Sequence, residues 1–546
     1  MTQEAIQSIR RLVVPDDVHP RFFDLPHDKW REGQLDSIKY LLDRPDGSVT
    51  VLQAPTGSGK TSLSRAMARH MSVTTLVKTK NLQVENYGNL YAFDVLFGRG
   101  NYPCVHPQRS SLDDTAAECL YEGMMDECEY VGECPYLVRK REVQRSKKRS
   151  LNYSYFLTAA WPHQSKQATK YLFLDECHNL PDETLEFISC TIREGERIRW
   201  RLPEFPSCYD SSRDSINTCL KWMESAIGIL MIEMGKLKES EDSYSKSQKS
   251  KAERLVAKLA QTCTAIHISQ DDWYVRSGQR ALSYDGAQTS GLIVKPLTAR
   301  YHFSKLFLGI YLRTILMSAT IGNYVDFCDE LGIKDYEFHL VKNQWGPEQR
   351  PVHVLDVPSM GQSATEASRV KHAEVMAKTI NDLPHDWSGV IHVTSWKHAW
   401  DLKARLTKAG VVNRLFIPDR GGTNKQMAQW NEVKRKGKGM LVITPSMNAG
   451  VDLLEERICI IAKVPFPFFM QGTYEWERMM YSNRFYRWQT ASDLEQRCGR
   501  TRRGRSEDYD DQWNVRGYVA IADGSFRKMG LAKSCSVDFV DSLVYD

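Results

Sequence analysis

No other stretch of this chain restricts its fold as tightly as Ala54-Pro-Thr-Gly-Ser-Gly-Lys-Thr61. It follows an apolar run over 48–53 and precedes a helical pattern. In that setting glycines let backbone N–H groups close around phosphate oxygens, and the helix N-terminus adds a favourable dipole. Ala54, Pro55, Thr56, Gly57, Ser58, Gly59, Lys60, Thr61 and Ser62 are the candidate nucleotide-binding residues. Lys60 is expected to reach the β- and γ-phosphates of ATP, and Thr61 to hold Mg2+. A chance glycine-rich turn is the alternative, and the strand before and the Gly-Lys-Thr within weigh against it.

A phosphate loop of this kind needs a parallel sheet behind it. Apolar runs over 48–53, 74–78, 170–174 and 314–318 alternate with helical stretches. A second set follows over 352–357, 389–394, 439–444, 458–463 and 517–522. Continuous apolar runs separated by helices read as buried parallel strands joined by crossovers. Two doubly wound α/β domains are therefore expected. The 546 residues leave room for more. Residues 100–150 are rich in Cys, Asp and Glu and then basic, while 181–300 are polar and mostly helical in pattern. Both read as insertions in the first domain.

The second nucleotide element is Leu172-Phe-Leu-Asp-Glu-Cys-His-Asn179, an apolar strand ending in two carboxylates. Asp175 would hold Mg2+, and Glu176 would orient and deprotonate the attacking water. An acidic strand end alone is common; downstream of a phosphate loop it is not. Ser318-Ala-Thr320 ends another predicted strand, and Gln496-Arg-Cys-Gly-Arg-Thr-Arg-Arg503 follows the second strand set.

Taken in order, these stretches resemble the superfamily 2 helicases, with Asp-Glu-Cys-His a variant of the DEAH box. The resemblance makes Ser318–Thr320 the motif that couples nucleotide state to nucleic-acid grip. It makes Gln496, Arg500 and Arg503 the motif that meets the γ-phosphate across an inter-domain cleft. Such arginines are worth about 10³–10⁵ in rate. Gln34, in Trp30-Arg-Glu-Gly-Gln34, resembles the Q motif that reads adenine, and Gly450 and Asp452, in Asn448-Ala-Gly-Val-Asp452, resemble a motif lining the same cleft.

Thirteen cysteines are present, and four are clustered. Cys104, Cys119, Cys128 and Cys134 are separated by 14, 8 and 5 residues. Structural zinc sites usually use C-x₂₋₄-C knuckles, absent here, and longer uneven spacings suit an iron–sulfur cubane; spacing favours iron–sulfur and leaves zinc open. The flanks Gly98-Arg-Gly-Asn-Tyr-Pro-Cys104 and Cys134-Pro-Tyr-Leu137 resemble those of the cluster in the XPD/DinG helicases, as do Asn152-Tyr-Ser-Tyr155 and Gly291-Leu-Ile-Val-Lys-Pro296.

That resemblance implies two RecA-like motor domains, a [4Fe–4S] insertion and a mainly helical Arch-like insertion. The expected layout is motor domain 1 over 1–99, 151–185 and 296–345, the cluster domain over 100–150, the Arch-like insertion over 186–295 and motor domain 2 over 346–546. It implies an ATP-dependent helicase that travels 5′→3′ on single-stranded DNA and unwinds forked or tailed duplexes. The alternatives are a translocase that remodels nucleoprotein without unwinding and a zinc-stabilised nucleic-acid-binding scaffold. Strand-contact candidates are 79–83, the basic residues Arg139–Arg141 and Arg145–Arg149, Arg99, Tyr102 and the aromatic-rich stretch 474–488. The net charge of +5 is compatible with nucleic acid. No apolar run approaches the ~18 residues of a membrane span, and the first residues lack a secretion signal. A monomer without membrane attachment is expected, cytoplasmic in a prokaryotic cell or virus-infected host, or nuclear in a eukaryote.

Overall fold

The computed structural model describes residues 14–55, 58–106, 115–117, 119, 128–159, 170–208, 210–237, 243–282, 288–341, 351–447, 456–467, 470–499 and 517–546. Two parallel sheets form its frame, as the alternating pattern predicts. The first runs in the order Glu337–Leu340, Val49–Gln53, Arg313–Ser318, Tyr171–Asp175, Val73–Val77, Lys148–Asn152, Asp94–Val95. All its described pairings are parallel. The second runs Leu415–Phe416, Leu441–Thr444, Gly389–His392, Ile458–Ile461, Tyr518–Ile521, Val352–Val354, Leu543–Tyr545, again parallel. The central strands are buried along their length, which is why they read as unbroken apolar runs.

Strand order decides what shares an edge. Arg313–Ser318 lies between Val49–Gln53 and Tyr171–Asp175, in register Gln53 to Ser318 and Asp175 to Met317. Because the three are parallel, the loops after Gln53, Asp175 and Ser318 leave the sheet side by side.

The stretch over 186–295 is mainly helical, as expected, and also carries a small sheet. Two long helices, Arg213–Leu237 and Ser243–Ile268, do pack as a hairpin. They sit on a three-stranded antiparallel sheet in the order Cys190–Arg193, Gln288–Pro296, Trp273–Leu282. Cys190, Cys208, Cys219 and Cys263, scattered in sequence, share one apolar core there, and burial pushes all four thiols up.

The basic run also needs correction. Lys148–Asn152 is a strand beside Val73–Val77, and Arg149 is fully buried in it, so this part of the run is not a free phosphate-binding face. Arg139 is paired with Asp94 and Glu142. Among the described residues no helix is long and apolar enough to cross a membrane.

Candidate active site

The helix Lys60–His70 begins directly behind Gly59, whose φ of +80° lies in the left-handed region. An added Cβ there would come within 2.5 Å of the Gln34 amide, so the turn is built around glycine. Ala54 and Pro55 are buried at the strand end, and the Ser58 N–H donates to Pro55 O at 3.0 Å. The Ser58 hydroxyl is buried without a hydrogen-bond partner. An orphaned donor beside a helix N-terminus fits a phosphate oxygen. Ser62 closes the turn by donating to Gly59 O at 2.6 Å, and Thr61 is half-buried at the second helical position. Gln34 is buried, and its amide nitrogen donates to Ser62, so it braces the loop. Thr56 and Gly57 lie outside the described residues.

Lys60 points at the neighbouring strand end. Its ammonium pairs with Glu176 Oε1 and lies 3.7 Å from Asp175 Oδ1. Asp175 has no exposed surface; burial pushes its carboxyl up, Lys60 opposes that and Glu176 adds to it. Its two oxygens accept from the Tyr87 hydroxyl at 2.8 Å and the Glu176 N–H at 2.9 Å. A buried carboxylate facing a cation suits a hard divalent metal. Glu176 itself sits at φ +51°, a strained conformation for a non-glycine residue of the kind that clusters at active sites.

From Glu176 a hydrogen-bonded chain leads to the second sheet. Ser318 Oγ donates to Glu176 Oε2 at 3.3 Å, and His178 Nδ1 meets Ser318 Oγ at 2.8 Å. His178 Nε2 meets the amide nitrogens of Asn179, at 2.9 Å, and of Gln496. The Asn179 amide also donates to Glu176 O at 3.0 Å, which fixes its orientation and makes Nε2 an acceptor. The proton is then on Nδ1, so every donor in the chain points toward Glu176. Lys60, Asp175, Glu176, Ser318 and Gln496 are thus brought together. Arg500, Arg503, Gly450 and Asp452 lie outside the described residues.

Gln496 is carried by the helix Asn483–Cys498, which is clamped to the first sheet's loops. Trp488 Nε1 donates to Ile321 O at 2.7 Å, and the Ser492 hydroxyl to Thr320 O at 2.9 Å. The preceding helix, Tyr474–Tyr481, contributes Arg478. Its guanidinium is buried, 3.0 Å from Asp182 and 3.3 Å from Glu330 of the first domain, and packs on the Phe485 ring at 3.8 Å. Within 474–488, Phe485, Tyr486 and Trp488 are buried and so do not offer stacking faces, while Tyr474 and Trp476 are half-buried and Tyr481 is exposed. A cleft of about 920 Å³ lies alongside, between His178, Asn179 and Asp182 on one side and Thr394, Pro445 and Pro465 at the strand ends of the second sheet.

Glu495, next to Gln496, is buried and accepts from Ser536 N–H at 2.6 Å and Ser536 Oγ at 2.8 Å. Burial nonetheless pushes its carboxyl up to about 7 from the ordinary 4.5. The unfolded chain loses this proton first as pH rises, so the group costs stability increasingly from about pH 4.5 to 7. Glu495→Gln should therefore be more stable than the native protein at pH 8, by ~1–3 kcal/mol, with the gap closing toward pH 4.5. Thermal melts at the two pH values test it; an equal gap at both would contradict it.

Other candidates fall differently. Gln83 is buried, bonded to Leu96 O and Ser150 O, and so is no surface contact. Tyr102 accepts from the Phe97 N–H at 3.2 Å, and Arg99 packs on the Tyr136 ring at 4.5 Å. Cys104, Cys119, Cys128 and Cys134 are half-buried and not joined in disulfides. Among the described residues no three His, Cys, Asp or Glu side chains converge as a metal would require.

Residues 104–196, from the first cysteine past the Asp175–His178 box, match the DEAD_2 family model. No curated protein matches the chain. Among solved structures it is similar to an XPD helicase, with 14% identity and a TM-score of 0.56 over 95% of this chain and 100% of that one. It is also similar to an XPD in its apo form, with 14% identity and a TM-score of 0.50 over 94% and 99% of the two chains. At that identity the likeness is one of fold: two parallel-sheet RecA-like domains.

Proposed function

We propose that this chain is an ATP-dependent helicase that moves 5′→3′ on single-stranded DNA and unwinds tailed duplexes. The observation that carries this reading is the hydrogen-bonded chain from Glu176 through Ser318 and His178 to Gln496. It gives the γ-phosphate side of one sheet a direct hold on the other, which is what a motor needs to turn hydrolysis into domain movement. Ser58, Lys60 and the loop N–H groups would hold the triphosphate; Thr61 and Asp175 would hold Mg2+, which when bound neutralises phosphate charge. Glu176 would take the proton of the attacking water. Gln496, with Arg500 and Arg503, would sense the γ-phosphate from across the cleft. DNA as the substrate and the direction of travel rest on the XPD/DinG resemblance.

Strand displacement tests the reading. A duplex with a 5′ tail should be separated in the presence of ATP and Mg2+, and one with only a 3′ tail should not. ATP hydrolysis with displacement of bound protein but no strand separation would favour the translocase instead. The iron–sulfur cluster rests on cysteine spacing and flanks alone. If it forms, freshly purified protein is brown, with broad visible absorbance that iron chelation bleaches; a colourless zinc-containing protein would overturn the assignment.

A further inference from the structure

The hydroxyl of Tyr87 donates to Asp175 Oδ2 at 2.8 Å, and no motif considered above contains Tyr87. The residue has no exposed surface. It lies on Leu82–Leu90, which is wound as a π-helix. Such winding is uncommon, re-aims side chains relative to an α-helix and recurs at functional sites.

The segment is pinned at several points. Near its start the Gln83 amide donates to Leu96 O at 3.0 Å and Ser150 O at 2.6 Å. Beyond its end the Phe93 N–H donates to Tyr87 O at 2.9 Å, and the Phe93 ring meets the Tyr87 ring edge-on at 5.3 Å. These bonds fix the backbone that carries Tyr87, and its buried ring packs against Phe93 while its hydroxyl reaches Asp175. Asp175 Oδ1 meanwhile accepts from the Glu176 N–H at 2.9 Å and faces Lys60 at 3.7 Å. With a donor on each oxygen, the carboxylate is held in one orientation.

We propose that Tyr87 is a positioning residue of the nucleotide site: by holding Oδ2 it fixes how Asp175 presents its other oxygen to Lys60 and to a divalent cation. The inference rests on the nucleotide reading above and adds to it a residue that never touches the nucleotide. A hydroxyl donated to a carboxylate is a charge-assisted bond, stronger than a neutral one. Its loss frees the carboxylate to rotate and leaves one oxygen buried without its donor.

The test uses the full chain and equilibrium binding of a fluorescent non-hydrolysable ATP analogue across a Mg2+ titration, with no turnover involved. Tyr87→Phe should raise the Mg2+ half-saturation roughly five- to twentyfold and leave analogue binding without Mg2+ unchanged. Tyr136→Phe removes another buried hydroxyl, one bonded to Tyr155, and should shift it less than about twofold. Should Tyr87→Phe not fold, 3-fluorotyrosine in place of Tyr87 keeps the shape, strengthens the donor and should lower the half-saturation. Equal half-saturation in Tyr87→Phe and native protein, an equal rise in Tyr136→Phe, or no response to fluorination would overturn the proposal. If the native chain shows no Mg2+-dependent binding, the nucleotide reading itself fails.

Discussion

Lys60→Ala is expected to reduce ATP hydrolysis by at least about 10²–10³, the cost of removing one preorganised group that meets developing charge. Lys60 is the cation facing both Asp175 and Glu176 across the loop. Its loss removes the charge clamp on the phosphates and leaves two adjacent carboxylates to repel each other. Asp175, already pushed up by burial and held down by Lys60, would move further from the ionised form that a metal requires. Phosphate release measured with and without single-stranded DNA reads the effect, with a melting curve to show that the chain remains folded. Turnover within a few-fold of the native protein would remove the nucleotide site from this loop.

The second large effect is expected at Arg478. Its guanidinium joins a helix of the second domain to Asp182 and Glu330 of the first. Glu330 is 4% exposed, and burial pushes its carboxyl up while Arg478 opposes that. Glu330 also accepts from the Ala299 N–H and the Thr298 hydroxyl, so its place is fixed. Arg478→Met strands a buried charge, which typically costs about 3–5 kcal/mol. The melting transition should fall, and hydrolysis should fall with it as Gln496 loses its hold on His178. The penalty should shrink at lower pH, where Glu330 takes a proton, and the double variant Arg478→Met with Glu330→Gln should recover part of the loss. A single variant that melts like the native protein would show that the domains are held elsewhere.

The parts of this site that were legible in the sequence are those whose neighbours are local. Lys60, Asp175 and Ser318 stand at or just beyond apolar runs, so the strands Val49–Gln53, Tyr171–Asp175 and Arg313–Ser318 were placed to within one residue, and Gln496 stands inside a recognisable motif. The partners that position them were not legible. Tyr87 meets Asp175 across 88 positions, and Arg478 meets Asp182 across 296. Neither has a periodicity or a flanking turn to announce it. Lys148–Asn152 was hidden for another reason: its sequence, Lys-Arg-Ser-Leu-Asn, reads as charged, and only the parallel partner Val73–Val77 makes it a strand. In the insertion, Trp273–Leu282 contains arginines and a glycine in a polar context, and it is a strand only through its pairing with Gln288–Pro296. The second sheet was easier because its strands Leu441–Thr444 and Ile458–Ile461 are almost wholly apolar and buried at every position.

The inserted sheet is fastened on both sides. The Tyr474 hydroxyl donates to Pro296 O at 2.8 Å, and the Tyr274 hydroxyl to Gly472 O at 3.2 Å, tying its strands to the second domain. Thr262, on the second hairpin helix, donates to Ile188 O at 3.1 Å, at the end of the helix that follows the Asp175–His178 box. The hairpin is thus a long arm whose root is gripped by two bodies. The 25-residue helix Arg213–Leu237 extends about 37 Å at 1.5 Å per residue. A tilt of only about 5° at the root therefore carries the far end roughly 3 Å, close to the rise of one nucleotide along a strand.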